Sequence, residues 1–96
     1  MAKYILLVNW TDQGVRNVKD SPKRLDAARK LAETAGAKMG DFYMTMGGYD
    51  MVTHLEAPDD ATVAKFVLSL AGAGNVRTQT LKAFSEDEYR KILGGL

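Results

Sequence analysis

The side chains that could do chemistry near neutral pH are few. His54 is the only histidine, and imidazole is the one side chain that titrates in this range without perturbation. It lies mid-way along a strand-like run, where it could project into a cavity as a general base or simply pack. Asp50 directly follows Gly47-Gly48-Tyr49. A carboxylate there could accept backbone N–H groups of a hairpin, pair with Arg77, or act as an acid/base. Arg77 could grip an anion through its planar fork, or pair with a carboxylate instead. Trp10, Tyr43 and Tyr49 are large amphipathic rings near strand ends or turns. Such rings line ligand pockets, and equally they close the ends of a core. Met39, Met44, Met46 and Met51 surround the same hairpin, and methionines more often fill a core than build a cofactor box.

Much chemistry is excluded. With no cysteine, the chain has no disulfide, thiolate nucleophile or cysteine metal site, and one histidine cannot make a His-rich site within a single chain. No cofactor and no metal are expected. There is no Gly-x-x-x-x-Gly-Lys loop, no Gly-x-Gly-x-x-Gly after a strand and no Gly-x-Ser-x-Gly elbow. Hydrophobic residues at 46% and charged residues at 26% are ordinary globular proportions, and a net charge of +1 removes the usual pointer to nucleic acid or an anionic membrane. The opening run Ile5-Leu6-Leu7-Val8 is too short for a signal-peptide core or a bilayer span. The expectation is one cytoplasmic domain over residues 1–96. Area scaling gives roughly 5,400 Å² of folded surface against roughly 15,000 Å² unfolded, enough for one modest core.

The elements that must position these groups are legible. Residues 3–10 read as a strand and residues 11–20 as a polar loop with turn formers. Ser21-Pro22 opens a helix, with Ser21 as its cap and Leu25, Ala28, Leu31, Ala32 and Ala35 as one stripe; Gly36 stops it. Residues 37–46 and 50–57 read as strands joined by a tight turn at Gly47-Gly48. Asp59-Asp60 starts a second helix, buried through Val63, Phe66, Val67 and Leu70 and ended by Gly72 and Gly74. Residues 75–84 form the fourth strand. Ser85 and Glu88 fit a capping box for a short last helix with Tyr89, Ile92 and Leu93 on one side. The order β-α-β-β-α-β plus a C-terminal helix is the split arrangement of the ferredoxin-like α+β fold, with both main helices on one face of a four-stranded antiparallel sheet.

The two central strands should alternate if their other face is wet, and they do so only in part. Tyr4, Leu6, Val8 and Trp10 point one way, but Ile5 and Leu7 point the other with Asn9. Met51, Thr53 and Leu55 oppose Val52, His54 and Glu56. An apolar patch on the side away from the helices implies association. A homodimer packed sheet to sheet is therefore expected, at roughly 800 Å² per subunit for a standard interface. The RNA-recognition variant of this fold needs an aromatic motif, with a basic residue before Gly-Phe, that is missing from both central strands.

Three separated segments resemble one family. Asn9-Trp10-Thr11-Asp12-Gln13-Gly14 is similar to the opening of GYD domain proteins, Tyr43-Met44-Thr45-Met46-Gly47-Gly48-Tyr49-Asp50 spells the naming motif, and Asn75-Val76-Arg77-Thr78-Gln79-Thr80 with Phe84 resembles the closing strand. The resemblance implies a small ferredoxin-like domain related in shape to dimeric α+β barrel proteins, without an established reaction. Its positions fall on Trp10, Thr11, Gly14, Tyr43, Thr45, Tyr49, Asp50, Asn75 and Arg77, whereas His54 lies outside the motif. The first functional expectation is an oligomeric binding or assembly module that holds a small anionic or aromatic molecule near Trp10, Tyr43, Asp50 and Arg77. The alternative is a cofactor-independent oxygenase- or isomerase-type enzyme in which Asp50 or His54 takes a proton and Tyr43 or Arg77 steadies an oxyanion. The third is a purely structural oligomer, with a second sticky patch at Tyr89, Ile92 and Leu93.

Overall fold

The computed structural model describes residues 1–96. Four strands, β1 (Ala2–Trp10), β2 (Lys38–Met44), β3 (Met51–Ala57) and β4 (Val76–Ala83), form one antiparallel sheet in the order β2-β3-β1-β4. The helices are α1 (Asp12–Arg16), α2 (Ser21–Thr34), α3 (Asp60–Gly72) and α4 (Glu86–Gly94). This is the ferredoxin-like fold, with β1 and β3 central. Tyr4, Leu6 and Val8 of β1 and Met51, Thr53, Leu55 and Ala57 of β3 are buried on one side, beneath Ala32 of α2 and Val63 and Phe66 of α3. No helix is long and apolar enough to cross a membrane.

Local physics sets most boundaries. Asp59 caps α3 by accepting the Thr62 N–H at 2.8 Å. Ser85 and Glu88 satisfy each other reciprocally at the start of α4. Gly36 and Gly74 end α2 and α3 at φ +83° and +85°, a region in which a side chain would be strained. Two details differ from the sequence reading. The segment read as a loop at 11–20 holds α1 and a 3-10 turn over Val18–Asp20. Thr11 is its cap, accepting the Gly14 N–H at 3.1 Å. Because that turn leads straight into α2, the chain is already helical at Asp20 and Ser21. Ser21 therefore makes no side-chain cap, since a capping hydroxyl needs an extended residue before the helix.

A β-bulge in β2 orients the hairpin. Lys38 and Met39 pair with Glu56 and Leu55, but Phe42 pairs with Thr53, so β2 carries one extra residue around Gly40-Asp41. The displaced carbonyls are not left bare. Thr53 Oγ1 donates to the Asp41 carbonyl at 2.8 Å, and Arg29 of α2 donates to the Gly40 carbonyl at 3.2 Å. The slip turns Phe42 and Met44 toward the helices and puts Tyr43 on the open face opposite Val52. The turn is also wider than a two-residue hairpin, a loop over residues 45–50 closed by Thr45 N–H donating to the Asp50 carbonyl at 2.8 Å.

Tyr4 carries a polar tie out of the core. Its hydroxyl donates to Asp60 Oδ1 at the start of α3, and Lys82 lies 5.8 Å above its ring. The Asp60 partner pushes the Tyr4 pKa up to about 12 and, with Lys82, holds Asp60 below the usual carboxylate range. Asp59, Glu56 and Glu88 are lowered as well, by Thr62, Lys3 and Ser85 respectively, while Lys3 is raised by Glu56. Lowered carboxylates add stability that is complete above their unfolded-chain pKa near 4 and is lost as pH falls below it. The raised Tyr4 and Lys3 add stability that is complete below about pH 10 and is lost as pH rises through their folded values. The melting temperature should therefore form a plateau between about pH 5 and 10. In Tyr4→Phe, the Asp60 carboxyl should titrate at higher pH than in the parent, as followed by NMR. An unmoved Asp60 would disprove the tie.

Candidate functional site

The eight residues singled out from sequence divide into three places. At one end of the sheet, Trp10, Thr11 and Arg77 border a shallow depression together with Gln13 and Gly74. The Trp10 backbone N–H donates to Asp50 Oδ2 at 3.0 Å, and the Asp50 N–H donates to the Val8 carbonyl at 3.0 Å and to Asn9 Oδ1 at 3.1 Å. Asp50 thus ties the hairpin loop to the end of β1. Thr11 Oγ1 donates to the Gly74 carbonyl at 2.6 Å, which fastens α1 to the segment entering β4. Arg77 stands opposite Asn9 on β4 and has no carboxylate within ion-pair reach, so the Asp50–Arg77 pair is not formed. The Trp10 indole Nε1 is buried without a partner.

Thr45 and Tyr49 belong to the hairpin loop. Thr45 Oγ1 donates to the Tyr49 carbonyl, and the Tyr49 hydroxyl reaches Gln79 Oε1 on β4. Gln79 pairs with Leu7 on the open face, so Tyr49 ties the hairpin loop to that face of the far edge strand. Tyr43 and His54 are also on the open face, both exposed, in different rows: Tyr43 opposite Val52, and His54 opposite Ile5. His54 shares a shallow depression with Lys3, Lys38, Asp41 and Glu56, of which Lys3 and Glu56 pair at 2.7 Å. No three acidic or histidine side chains gather as a metal site would require.

The most apolar hollow is elsewhere. A crevice of about 280 Å³ runs between α2, α3 and the sheet, with 13 of its 18 lining residues hydrophobic. Leu25 and Leu31 of α2, Leu70 and Phe66 of α3, and Phe42 and Met51 of the sheet form much of its wall. Arg24 is its only charged lining residue; Ser21, Thr53, Ser69 and Asn75 are the other polar ones. None of the eight sequence candidates lines it. Small side chains line the crevice: half-buried Ala28 and exposed Ala27 on α2, and exposed Ala73 beyond α3, leave room that larger residues would fill. Alanines on the α2 stripe were the available signal, but they read equally well as close packing.

The segments that carry the hairpin, the α1 turn and the β4 entry are therefore one connected unit, and they are the same segments that resemble a family motif. The GYD domain family matches residues 4–93. The chain belongs to the GYD domain family. A relative in sequence, the "Glutamine synthetase and cystathionine beta-lyase binding protein" of Thermus thermophilus, is 37% identical over 84 residues, covering 86% of this chain and 88% of that protein. Among solved structures, MtbAldR superposes with a TM-score of 0.68 at 17% identity, over 88% of this chain and 54% of its own, so this GYD chain spans about half of it. A second solved structure, of a Thermus thermophilus protein, superposes with a TM-score of 0.57 at 21% identity, over 88% of this chain and 95% of its own. At these identities the two structures speak for the fold of the GYD chain alone.

Proposed function

We propose that this GYD protein is a binding module: two copies join through their open sheet faces, and the pair docks onto a metabolic enzyme through α4. The observation that carries the reading is apolar surface that the single chain leaves wet. Its accessible surface is 6540 Å², about 1,100 Å² more than a compact chain of this mass presents. On the open face, Ile5, Leu7 and Val52 are half-buried, with Leu81 and Tyr43 exposed beside them. Helix α4 buries none of its residues. Tyr89, Ile92 and Leu93 stand at i, i+3 and i+4 on it, and with Phe84 they are 45–58% exposed. A nine-residue helix is too short to be stable by propensity alone. It gains from the capping box, and a partner laid on its apolar stripe would hold it.

The chemistry of the motif residues fits this role better than acid/base work. Asp50, Thr11, Thr45 and Tyr49 spend their polar atoms on backbone or side-chain partners that fix the hairpin and α1. The kind of partner is suggested by the Thermus relative, whose name records binding to glutamine synthetase and cystathionine beta-lyase. The test is sedimentation of the purified chain with each of these two enzymes from the same host. At least one enzyme should carry the chain with it, and Ile92→Asp together with Leu93→Asp should weaken that association at least tenfold. Independent sedimentation of the chain and both enzymes would refute the reading.

A further inference from the structure

We propose that the crevice between α2, α3 and the sheet is a binding site for a small monocarboxylate with an unbranched apolar tail, its carboxylate held by Arg24. Three observations converge. The walls are apolar, and the volume of about 280 Å³ holds about nine methylene-sized groups at the ~30 Å³ share of a water molecule. That is a tail of medium length.

The single charge in the lining is positive. Arg24 donates to the Asn17 carbonyl at 3.0 Å and to the Gly14 carbonyl at 3.3 Å. Those two bonds anchor the guanidinium and leave three of its five N–H groups to give. No carboxylate of the chain lies within ion-pair reach of it. A fixed, partly buried guanidinium beside an apolar wall is complementary to a carboxylate, which it can grip with paired hydrogen bonds.

Neutral donors stand in the same lining. Asn75 accepts from Gln13 through Oδ1 at 3.1 Å, so its amide N–H groups remain as donors, and Ser21 contributes a hydroxyl. Apolar walls with a few placed polar groups are the usual make-up of a small-molecule site. The site uses neither the open sheet face nor α4, so it stands independently of the binding reading above.

Calorimetric titration of the full chain with unbranched monocarboxylates from butanoate to decanoate tests it, with the matching amides alongside. The Kd should tighten roughly threefold to fourfold per added methylene and level off near eight carbons. The amide should bind about tenfold more weakly than its acid. Arg24→Gln should abolish that discrimination, and Arg24→Lys should keep part of it. Ala28→Phe from α2 and Ser69→Phe from α3 each fill the crevice and should eliminate binding, with circular dichroism confirming the fold. No heat with any acid, binding indifferent to chain length, or unchanged binding in both folded crevice-filling variants would overturn the proposal.

Discussion

Gly14→Ala should be the most destabilising small substitution in this protein, lowering its stability by about 3 kcal/mol. Helix propensity alone predicts the opposite sign, since alanine is favoured over glycine within a helix by about 1 kcal/mol. Contact decides against it. A Cβ at Gly14 would stand 2.0 Å from the Asn75 carbonyl oxygen and 2.9 Å from its carbon, both backbone atoms that no rotamer can move. Relief requires α1 to lift away from the β4 entry. That movement breaks the Thr11 N–H bond to the Asn75 carbonyl at 3.0 Å and the Thr11 Oγ1 bond to the Gly74 carbonyl at 2.6 Å. It also disturbs Arg24, which holds the Gly14 carbonyl. For a domain of this size the melting temperature should fall by roughly 12–24 °C. Gly72→Ala near the end of α3 is the control: nothing lies within 4 Å of its added methyl, so its melting temperature should hold or rise. A Gly14→Ala variant melting within about 3 °C of the parent, less than the shift expected from 1 kcal/mol, would show that α1 is not locked to β4.

Leu7→Glu should turn the proposed dimer into single chains while leaving each chain folded. Leu7 is at the centre of the open face, between Val52 on β3 and Gln79 on β4. It is half-buried in the single chain and takes no part in the buried core beneath the helices. Glutamate there keeps water in the lone protomer but would be dried by a second sheet, and an unpaired buried charge costs several kcal/mol. A two-fold interface repeats that cost. The dimer Kd should rise at least a hundredfold, and sedimentation should then give the 10.5 kDa chain mass instead of twice that value. Thr80→Glu, exposed on the helix side of β4, should leave the mass unchanged. If the parent itself sediments as a single chain at micromolar concentration, the open face has another use.

The partner side of the reading rests on how the exposed apolar residues are distributed. Scattered singly, such residues are normal on any surface. Here six of the fourteen exposed large hydrophobics fall on two features: Tyr43 and Leu81 on the open face, and Phe84, Tyr89, Ile92 and Leu93 along and just before α4. The single chain leaves both uncovered: its buried core lies between the helices and the other side of the sheet, and α4 buries none of its residues.

Much of this was legible in the sequence because it is local. The alternation of Tyr4, Leu6 and Val8 against Ile5 and Leu7 defined a central strand with two apolar faces. Asp59, Ser85 and Glu88 marked helix starts, and Gly36 and Gly74 marked helix ends, through hydrogen bonds and backbone conformations that span a few residues. Element order then followed, and with it the fold. The α1 turn was less visible because its five residues carry a glycine and polar side chains, and Thr11 as its cap is indistinguishable in sequence from a loop threonine.

Tertiary structure alone decided the rest. The bulge at Gly40-Asp41 chose which side of the sheet receives Tyr43 and which receives Phe42, and it is held by Thr53 and Arg29 from elements distant in sequence. The same holds for the closeness of Gly14 to Asn75, for the engagement of Asp50 by Trp10 where a pair with Arg77 was possible, and for the crevice lined by Arg24. Each depends on the separation of two elements that no spacing along the chain encodes. Period and capping report what a segment does with its own neighbours; gaps and contacts arise only when whole faces meet.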